Sequence, residues 1–315
     1  MAGHLHLEGA MMSMCSFAEL LSLATHRGSD CLSVAGGDDP EVMKAVVTAL
    51  REGLVARAIV TGNMTVIGAD LPADLAGKVT LIDAKDAGEC ANQAVKAVSS
   101  GTANILMKGH VDSTSYLRAV VNRETGIREG GTLSNVTVAE MPSYPKFLIA
   151  TDNGIIPAPT LAQKRQIILN TARLFRGLGV EYAKVAVLAA TEKVSEGNAA
   201  TVDAACLAAE SEAGQFPGFI VDGPFGYDVA VSKVAASTKK LGSSQVAGDA
   251  DLLLFPTIDA ANAVAKAWKF HGQAQTGSIV LGAQVPVLLN SRSDSVERRI
   301  NGLLLALAVR NGEES

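Results

Sequence analysis

Short runs of Val, Ile, Leu and Ala recur along the chain, each followed by a polar turn and then a longer stretch of helical period. The runs read as strands at 56–62 (ARAIVTG), 78–84 (KVTLIDA), 103–109 (ANILMKG), 146–152 (KFLIATD), 184–190 (KVAVLAA), 218–224 (GFIVDGP), 251–256 (DLLLFP) and 278–290 (SIVLG plus VPVLLN). Nearly all are too uniformly apolar to keep one face in water, the mark of a parallel sheet covered on both sides. Helices are expected between them. EVMKAVVTALREG starts at Asp39 and Pro40, TLAQKRQIILNTARLFRGLG ends at Gly177 and Gly179, and DAANAVAKAWKF opens at Asp259. The run from Met11 to Ala24 reads as a first helix packed on the core. The alternation predicts an α/β fold, doubly wound in three layers.

One region breaks the alternation. From Glu124 to Ala150 the chain carries glycines, a Val-Thr-Val alternation and two prolines, which suit a hairpin and crossover better than a helix. A domain boundary is expected there, near residue 135. With 315 residues and 48% hydrophobic content, the chain can build two closely joined domains around substantial cores.

Charge and special residues narrow the function. The net charge of −5 is spread along the chain, without the basic field that nucleic-acid binding needs, so an anionic ligand must be held by local groups. Cys15, Cys31, Cys90 and Cys206 form no C-x-x-C pair and read as reduced cytoplasmic thiols, and the five histidines include no H-E-x-x-H. No metal site is expected, and no window has the apolar length of a membrane span.

Ligands of open α/β sheets sit beyond the carboxyl ends of the strands, so the loops there carry the candidate chemistry. VLLNSRSDSVERR, residues 287–299, passes abruptly from apolar to polar, and Asp294-Ser-Val-Glu297 matches a helix start. Ser291, the forked donors of Arg292 and the first backbone N–H groups of that helix make a seat for a phosphate or carboxylate. Taken alone, the same residues also serve as ordinary caps with a solvated arginine. A second loop has the same character: ANILMKG leads into HVDSTSYLRAVVNRE, where Ser113 or Thr114 caps a helix and Arg118 follows one turn later, with Lys108 and His110 at the strand tip. VDGPFGYDVAVSK brings Asp222 and Asp228 to a tight turn, and the helix after Pro256 sets Asn262 and Lys266 four apart on one face.

These segments, taken in order, resemble the phosphate acetyl/butyryltransferase family. LMKGHVDSTSYLRAVVN is similar to its Lys-Gly and Thr/Ser-x-x-x-Arg segment, VDGPFGYDVAVSK and VAGDADLLLFPTIDAANAVAKA to its middle landmarks, and PVLLNSRSDS to its closing Ser-Arg signature. The resemblance runs from about residue 30 to the C-terminus, and the SRSDS form is closer to the butyryl type.

The resemblance implies two α/β/α domains of the isocitrate/isopropylmalate dehydrogenase-like kind with an active-site cleft between them. One domain would comprise 1–134 plus 290–315, and the other, 135–289, would be inserted in it. It also implies transfer of a short acyl group, butyryl or acetyl, between coenzyme A and inorganic phosphate, in a homodimer or larger homo-oligomer. No cofactor would be tightly bound, coenzyme A being a substrate. Such a step builds negative charge on the acyl oxygen beside a phosphate dianion, and arginines and hydroxyl donors answer both. Catalytic roles therefore fall to Ser291, Arg292 and Arg118, and substrate binding to Lys108, Thr114, Asn262, Arg298 and Asp294. Direct transfer without a covalent enzyme intermediate is expected, since no serine sits in a G-x-S-x-G elbow.

The chain departs from the acetyl-type pattern at Arg298, seven residues after the signature serine, where those members carry a carboxylate that resembles a base for the thiol. A cation there favours ionised sulfur directly. Asp294 and Glu297 are the fallback bases. Two other readings are open: a nicotinamide- and metal-dependent hydroxy-acid dehydrogenase of the same broad fold, and a catalytically silent acyl-CoA or phosphate binder.

Overall fold

A computed structural model describes residues 13–24, 29–129, 131–291 and 294–314. The strands are β1 (Cys31–Ala35), β2 (Arg57–Gly62), β3 (Val79–Asp83), β4 (Ile105–Lys108), β5 (Ser134–Glu140), β6 (Leu148–Thr151), β7 (Ala183–Leu188), β8 (Phe219–Phe225), β9 (Leu252–Leu254), β10 (Gln275–Leu281) and β11 (Val287–Leu288), and every expected apolar run supplies at least one of them. They join in one 11-stranded sheet of order β3-β2-β1-β4-β11-β10-β5-β6-β9-β7-β8. The helices are α1 (Phe17–Ala24), α2 (Pro40–Arg51), α3 (Met64–Asp70), α4 (Ala87–Ser99), α5 (Ser113–Val120), α6 (Leu161–Asn170), α7 (Ala172–Gly177), α8 (Ala199–Glu212), α9 (Tyr227–Val231), α10 (Lys233–Thr238), α11 (Ile258–Phe270) and α12 (Val296–Glu314).

The sheet is not parallel throughout. Its two ends are, but β10 runs antiparallel to both β11 and β5, and β5 antiparallel to β6. The reason is local: β5 and β6 are joined by a turn of residues 141–147, too short for the helical crossover that parallel neighbours require. An antiparallel seam thus separates two doubly wound halves.

Four local expectations are corrected. β1 was not anticipated, because CLSVA mixes Cys and Ser into a run of only five residues; every one is buried, and Ser33 satisfies its hydroxyl by donating to the Ala94 carbonyl at 2.9 Å. The expected helix of residues 160–179 is two, divided at Thr171, whose hydroxyl donates to the Ile168 carbonyl at 2.6 Å. Asp112, rather than Ser113 or Thr114, caps α5, and Thr257 rather than Asp259 caps α11.

The packing of the two sheet faces creates the site. One face is covered by a single apolar cluster that draws on both halves, from Val34 and Val60 through Val136 and Ile149 to Leu252, with α12 supplying Leu303 to Val309. The other face carries two separate clusters, one around Leu106, Tyr116 and Val287, the other around Leu148, Phe225 and Trp268. The gap between them lies over the seam.

Helix α12 stiffens the arrangement from behind. A Cβ on Gly177 of α7 would lie 1.8 Å from the Ala308 carbonyl oxygen, and one on Gly312 would lie 2.0 Å from the Arg173 oxygen, so the two helices meet backbone to backbone. All four cysteines are free thiols.

Candidate active site

The gap holds a cavity of about 290 Å³. Its floor follows from strand alternation. On β5, Val136 and Val138 point into the shared core, so Asn135 and Thr137 point the other way; on β10, Ile279 and Leu281 take the core and Thr276 and Ser278 the cavity. Asn153, just past β6, completes the floor. These groups hydrogen-bond in series: Asn135 Nδ2 donates to Asn153 Oδ1 at 2.6 Å, Asn153 Nδ2 donates to Thr137 Oγ1 at 2.7 Å, and Thr137 and Ser278 share a hydrogen at 2.8 Å. Asp152 secures this corner by accepting from the backbone N–H groups of Gly154, Ile155 and Ile156 at 2.9–3.1 Å. Burial pushes its carboxyl upward against the pull of those donors.

One wall is α11, whose Asn262, Ala265, Lys266 and Lys269 face the cavity. The spacing of Asn262 and Lys266 sets both on the cavity-lining face, and Asn262 Nδ2 also donates to the Asn153 carbonyl at 3.1 Å. The opposite wall is the segment after β11, with Leu289, Asn290, Ser291 and Asp294, then Arg298 on α12; Ser113 reaches in from α5. Among the described residues, three cations thus face one carboxylate over an uncharged floor. Such a cavity attracts an anion.

The backbone of Ser291 is held at both ends. Its N–H donates to Asp294 Oδ2 at 2.7 Å, and its carbonyl accepts from Arg299 Nη2 at 3.3 Å. Arg299 is 2% exposed, and its burial pulls the guanidinium below its ordinary pKa. Asp294 spends its other oxygen on Lys269 Nζ at 2.7 Å, tying the serine segment to α11 across the cavity. Lys108 works from beneath: it is 3% exposed, does not line the cavity, and donates to the Asn290 carbonyl at 3.3 Å. Tyr116, fully buried, donates from its hydroxyl to the Leu288 carbonyl at 3.1 Å.

The structure therefore gathers Ser291, Asn262, Asp294 and Arg298 around one cavity, with Lys108 in support. It does not bring Arg118 and Thr114 there: both are exposed on α5, outside the lining, although Ser113 of the same helix takes part. Arg292 lies outside the described residues. Glu297 is exposed in the first turn of α12. His110 borders a different crevice, with Asp38 and Asp86.

Asn135, Thr137, Asn153, Thr276, Ser278, Lys269 and Asn290 were not anticipated. The strand residues did carry a signal: polar groups at every second position, N-x-T in one strand and T-x-S in another, within otherwise apolar segments. Polar side chains on the buried face of a strand need partners or a ligand.

A family profile described as Phosphate acetyl/butaryl transferase matches residues 88–307. The chain belongs to this family. It is 38% identical over 290 residues to a probable phosphate butyryltransferase of Bacillus subtilis (strain 168), covering 92% of this chain and 96% of that one. It is 37% identical over 291 residues to a phosphate acetyltransferase of Thermotoga maritima, covering 91% and 97%. The fold is similar to that of a branched-chain phosphotransacylase from Enterococcus faecalis V583, with a TM-score of 0.79 and 30% identity, covering 89% and 99%. The aspartates that a metal-dependent dehydrogenase would have called upon, Asp249 and Asp251, are engaged with lysines at the turn before β9: Asp251 meets Lys146 at 2.6 Å, and Asp249 pairs with Lys146 and Lys184.

Within this family member, the Lys269–Asp294 bridge makes a prediction of its own. Lys269→Met is expected to lower the urea-derived stability by about 1–3 kcal/mol, because it leaves a mostly buried carboxylate unpaired. Adding Asp294→Asn to that variant is expected to restore most of the loss. A double variant no more stable than the single one would refute the pairing as its cause.

Proposed function

We propose that this protein transfers a short acyl group between coenzyme A and inorganic phosphate: acyl-CoA + phosphate ⇌ acyl phosphate + CoA. The observation that carries the reading is the cavity over the seam, where the signature Ser291, fixed through its backbone, meets Lys266, Lys269 and Arg298 above a neutral polar floor. Family membership supports the same reaction.

The chemistry follows from that arrangement. Phosphate enters as a dianion and is drawn to the cations. One of its oxygens attacks the thioester carbon; the C–O bond forms, the carbonyl electron pair moves onto oxygen, and collapse breaks the C–S bond and releases the thiolate. Holding both reactants in one cavity supplies the proximity term. Ser291 is assigned to the developing oxyanion or a phosphate oxygen, and Arg292 to the phosphate. Arg298 is assigned to the departing sulfur, which a cation holds as thiolate, so the forward direction needs no acid to protonate it. Arg118 and Thr114, on the helix whose first residue lines the cavity, are kept as contacts for the incoming anion. Transfer is direct, with no acyl-enzyme.

Coenzyme A is a substrate in this scheme, and no tightly bound cofactor is invoked. We also propose the division into 1–134 with 290–315 and an inserted 135–289, a homodimeric or larger assembly, and a cytoplasmic setting, which free thiols suit. Among the described residues no helix is long and apolar enough to cross a membrane.

Thiol release from acetyl- through hexanoyl-CoA, with and without phosphate, tests the reading. Release that requires phosphate and peaks at one short chain length is expected. Folded protein that releases no thiol in response to phosphate at any length would overturn it.

A further inference from the structure

Ser291 hangs between two peptide groups, and a buried cation holds each of them. The peptide before its Cα carries the Asn290 carbonyl, which accepts from Lys108 Nζ at 3.3 Å, and the Ser291 N–H, which donates to Asp294 Oδ2 at 2.7 Å. The peptide after it carries the Ser291 carbonyl, which accepts from Arg299 Nη2 at 3.3 Å. Lys108 at 3% exposure comes from β4 and Arg299 at 2% from α12, and neither lines the cavity that Ser291 borders. A peptide group is a rigid plane, so two fixed planes fix the direction in which Cβ leaves the Cα between them.

Arg299 is held there against the interest of the fold. Its Nε and Nη1 are buried without a hydrogen-bond partner, and a guanidinium taken out of water with unpaired donors is destabilising. Asp294 directs its two carboxylate oxygens to the Ser291 N–H and to Lys269 Nζ instead. Nor does the Ser291 carbonyl need the arginine to be satisfied, because the Asp294 N–H already donates to it at 3.1 Å. A side chain that destabilises the fold and satisfies no group that would otherwise go unpaired is expected where a site requires it.

We infer that Arg299 is a positioning residue for Ser291: it sets the peptide plane after the serine and so aims the hydroxyl at the reacting group. This rests on the acyltransfer reading and on the part of Ser291 in it. The hydroxyl has to meet an oxygen whose charge grows as phosphate adds to the thioester, and a donor contributes to the rate only when it points where that charge develops. The bond from the Asp294 N–H lies within the turn and moves with it. Arg299 instead ties the plane to α12, whose Leu303 to Val309 are packed in the core.

Arg299→Met and Arg299→Lys, each alone and each combined with Ser291→Ala, test the assignment in the intact protein. Melting temperature is read for every variant, together with kcat and KM for phosphate-dependent thiol release from whichever acyl-CoA, acetyl through hexanoyl, the parent turns over fastest. Arg299→Met is expected to melt close to the parent, since it removes a buried charge that is only partly paired. Its kcat is expected to fall about 10- to 100-fold with little change in either KM, the order of loss that a misplacement of about 1 Å produces. Lys, which keeps a cationic donor but not the fork, is expected to fall between Met and the parent. The double variants decide. Once the hydroxyl is gone, neither Arg299 change should lower kcat by more than about threefold further, because residues that act through one another are not additive. If the Met protein does not fold, the Lys pair carries the same comparison. Losses that multiply in the double variant, as general damage to the fold would give, overturn the positioning role, and so does a KM that rises while kcat stands. Ser291→Ala with the activity of the parent withdraws the hydroxyl, and this inference with it. A parent that releases no thiol in response to phosphate overturns the acyltransferase reading beneath both.

Discussion

Alanine at position 291 is expected to lower kcat by about 10²–10³-fold, the usual cost of losing one donor to a developing oxyanion. Stability should change by about 0.5 kcal/mol or less, as for an exposed position outside the core. The two effects separate because the segment is held by its backbone: Asp294 takes the Ser291 N–H and Arg299 supports the carbonyl, and neither contact involves the hydroxyl. The substitution therefore leaves both of these backbone contacts in place. Ser291→Thr keeps the hydroxyl and is expected to retain more activity than Ala. Thiol-release kinetics at saturating phosphate and acyl-CoA, with thermal melts of the same samples, provide the check. Activity within threefold of the parent would remove Ser291 from the chemistry.

The second large effect is structural. Gly177→Ala is expected to destabilise the fold by about 3 kcal/mol or more, the upper end of the overpacking range. The added Cβ would meet the Ala308 carbonyl oxygen at 1.8 Å, and that oxygen belongs to a helix backbone that cannot step aside like a side chain. α12 would have to move as a body. Its first turns carry Arg298 and Arg299, so activity should fall with stability. Gly68→Ala is the control: nothing lies within 4 Å of the new Cβ, and the helix should gain about 0.5–1 kcal/mol. Urea midpoints of the two variants should move in opposite directions. Equal shifts would mean that the contact between α7 and α12 is softer than the backbone distances imply.

Much of the architecture was legible in advance. Strand runs and helix starts are local signals: an apolar run wide enough for a buried strand, or Asp39 before Pro40, means the same in any context. The helix spacing that pairs Asn262 with Lys266 is local too, and both do line the cavity. The Val-Thr-Val alternation read as part of a hairpin becomes β5, paired antiparallel with β6. The floor was less legible. Asn135, Thr137, Thr276 and Ser278 alternate with core residues as clearly as any strand, but β5 and β10 stand far apart in sequence and only their pairing makes one surface.

By itself, then, the sequence determined the α/β alternation, the family signature around Ser291, and the demand for an anion site that a chain of net charge −5 could meet only locally. Tertiary structure alone decided what that site is made of. It placed Lys269 against Asp294, left Arg118 on the outside of α5, and set Asn135 and Asn290 among the residues around one cavity. Arg298 and Arg299 show the reason most plainly. Neighbours in sequence and identical in chemistry, they diverge by about 100° around a helix of 3.6 residues per turn. Which one lines the cavity and which is buried under the serine carbonyl depends on how α12 is rotated against the sheet, and packing of its apolar face sets that rotation.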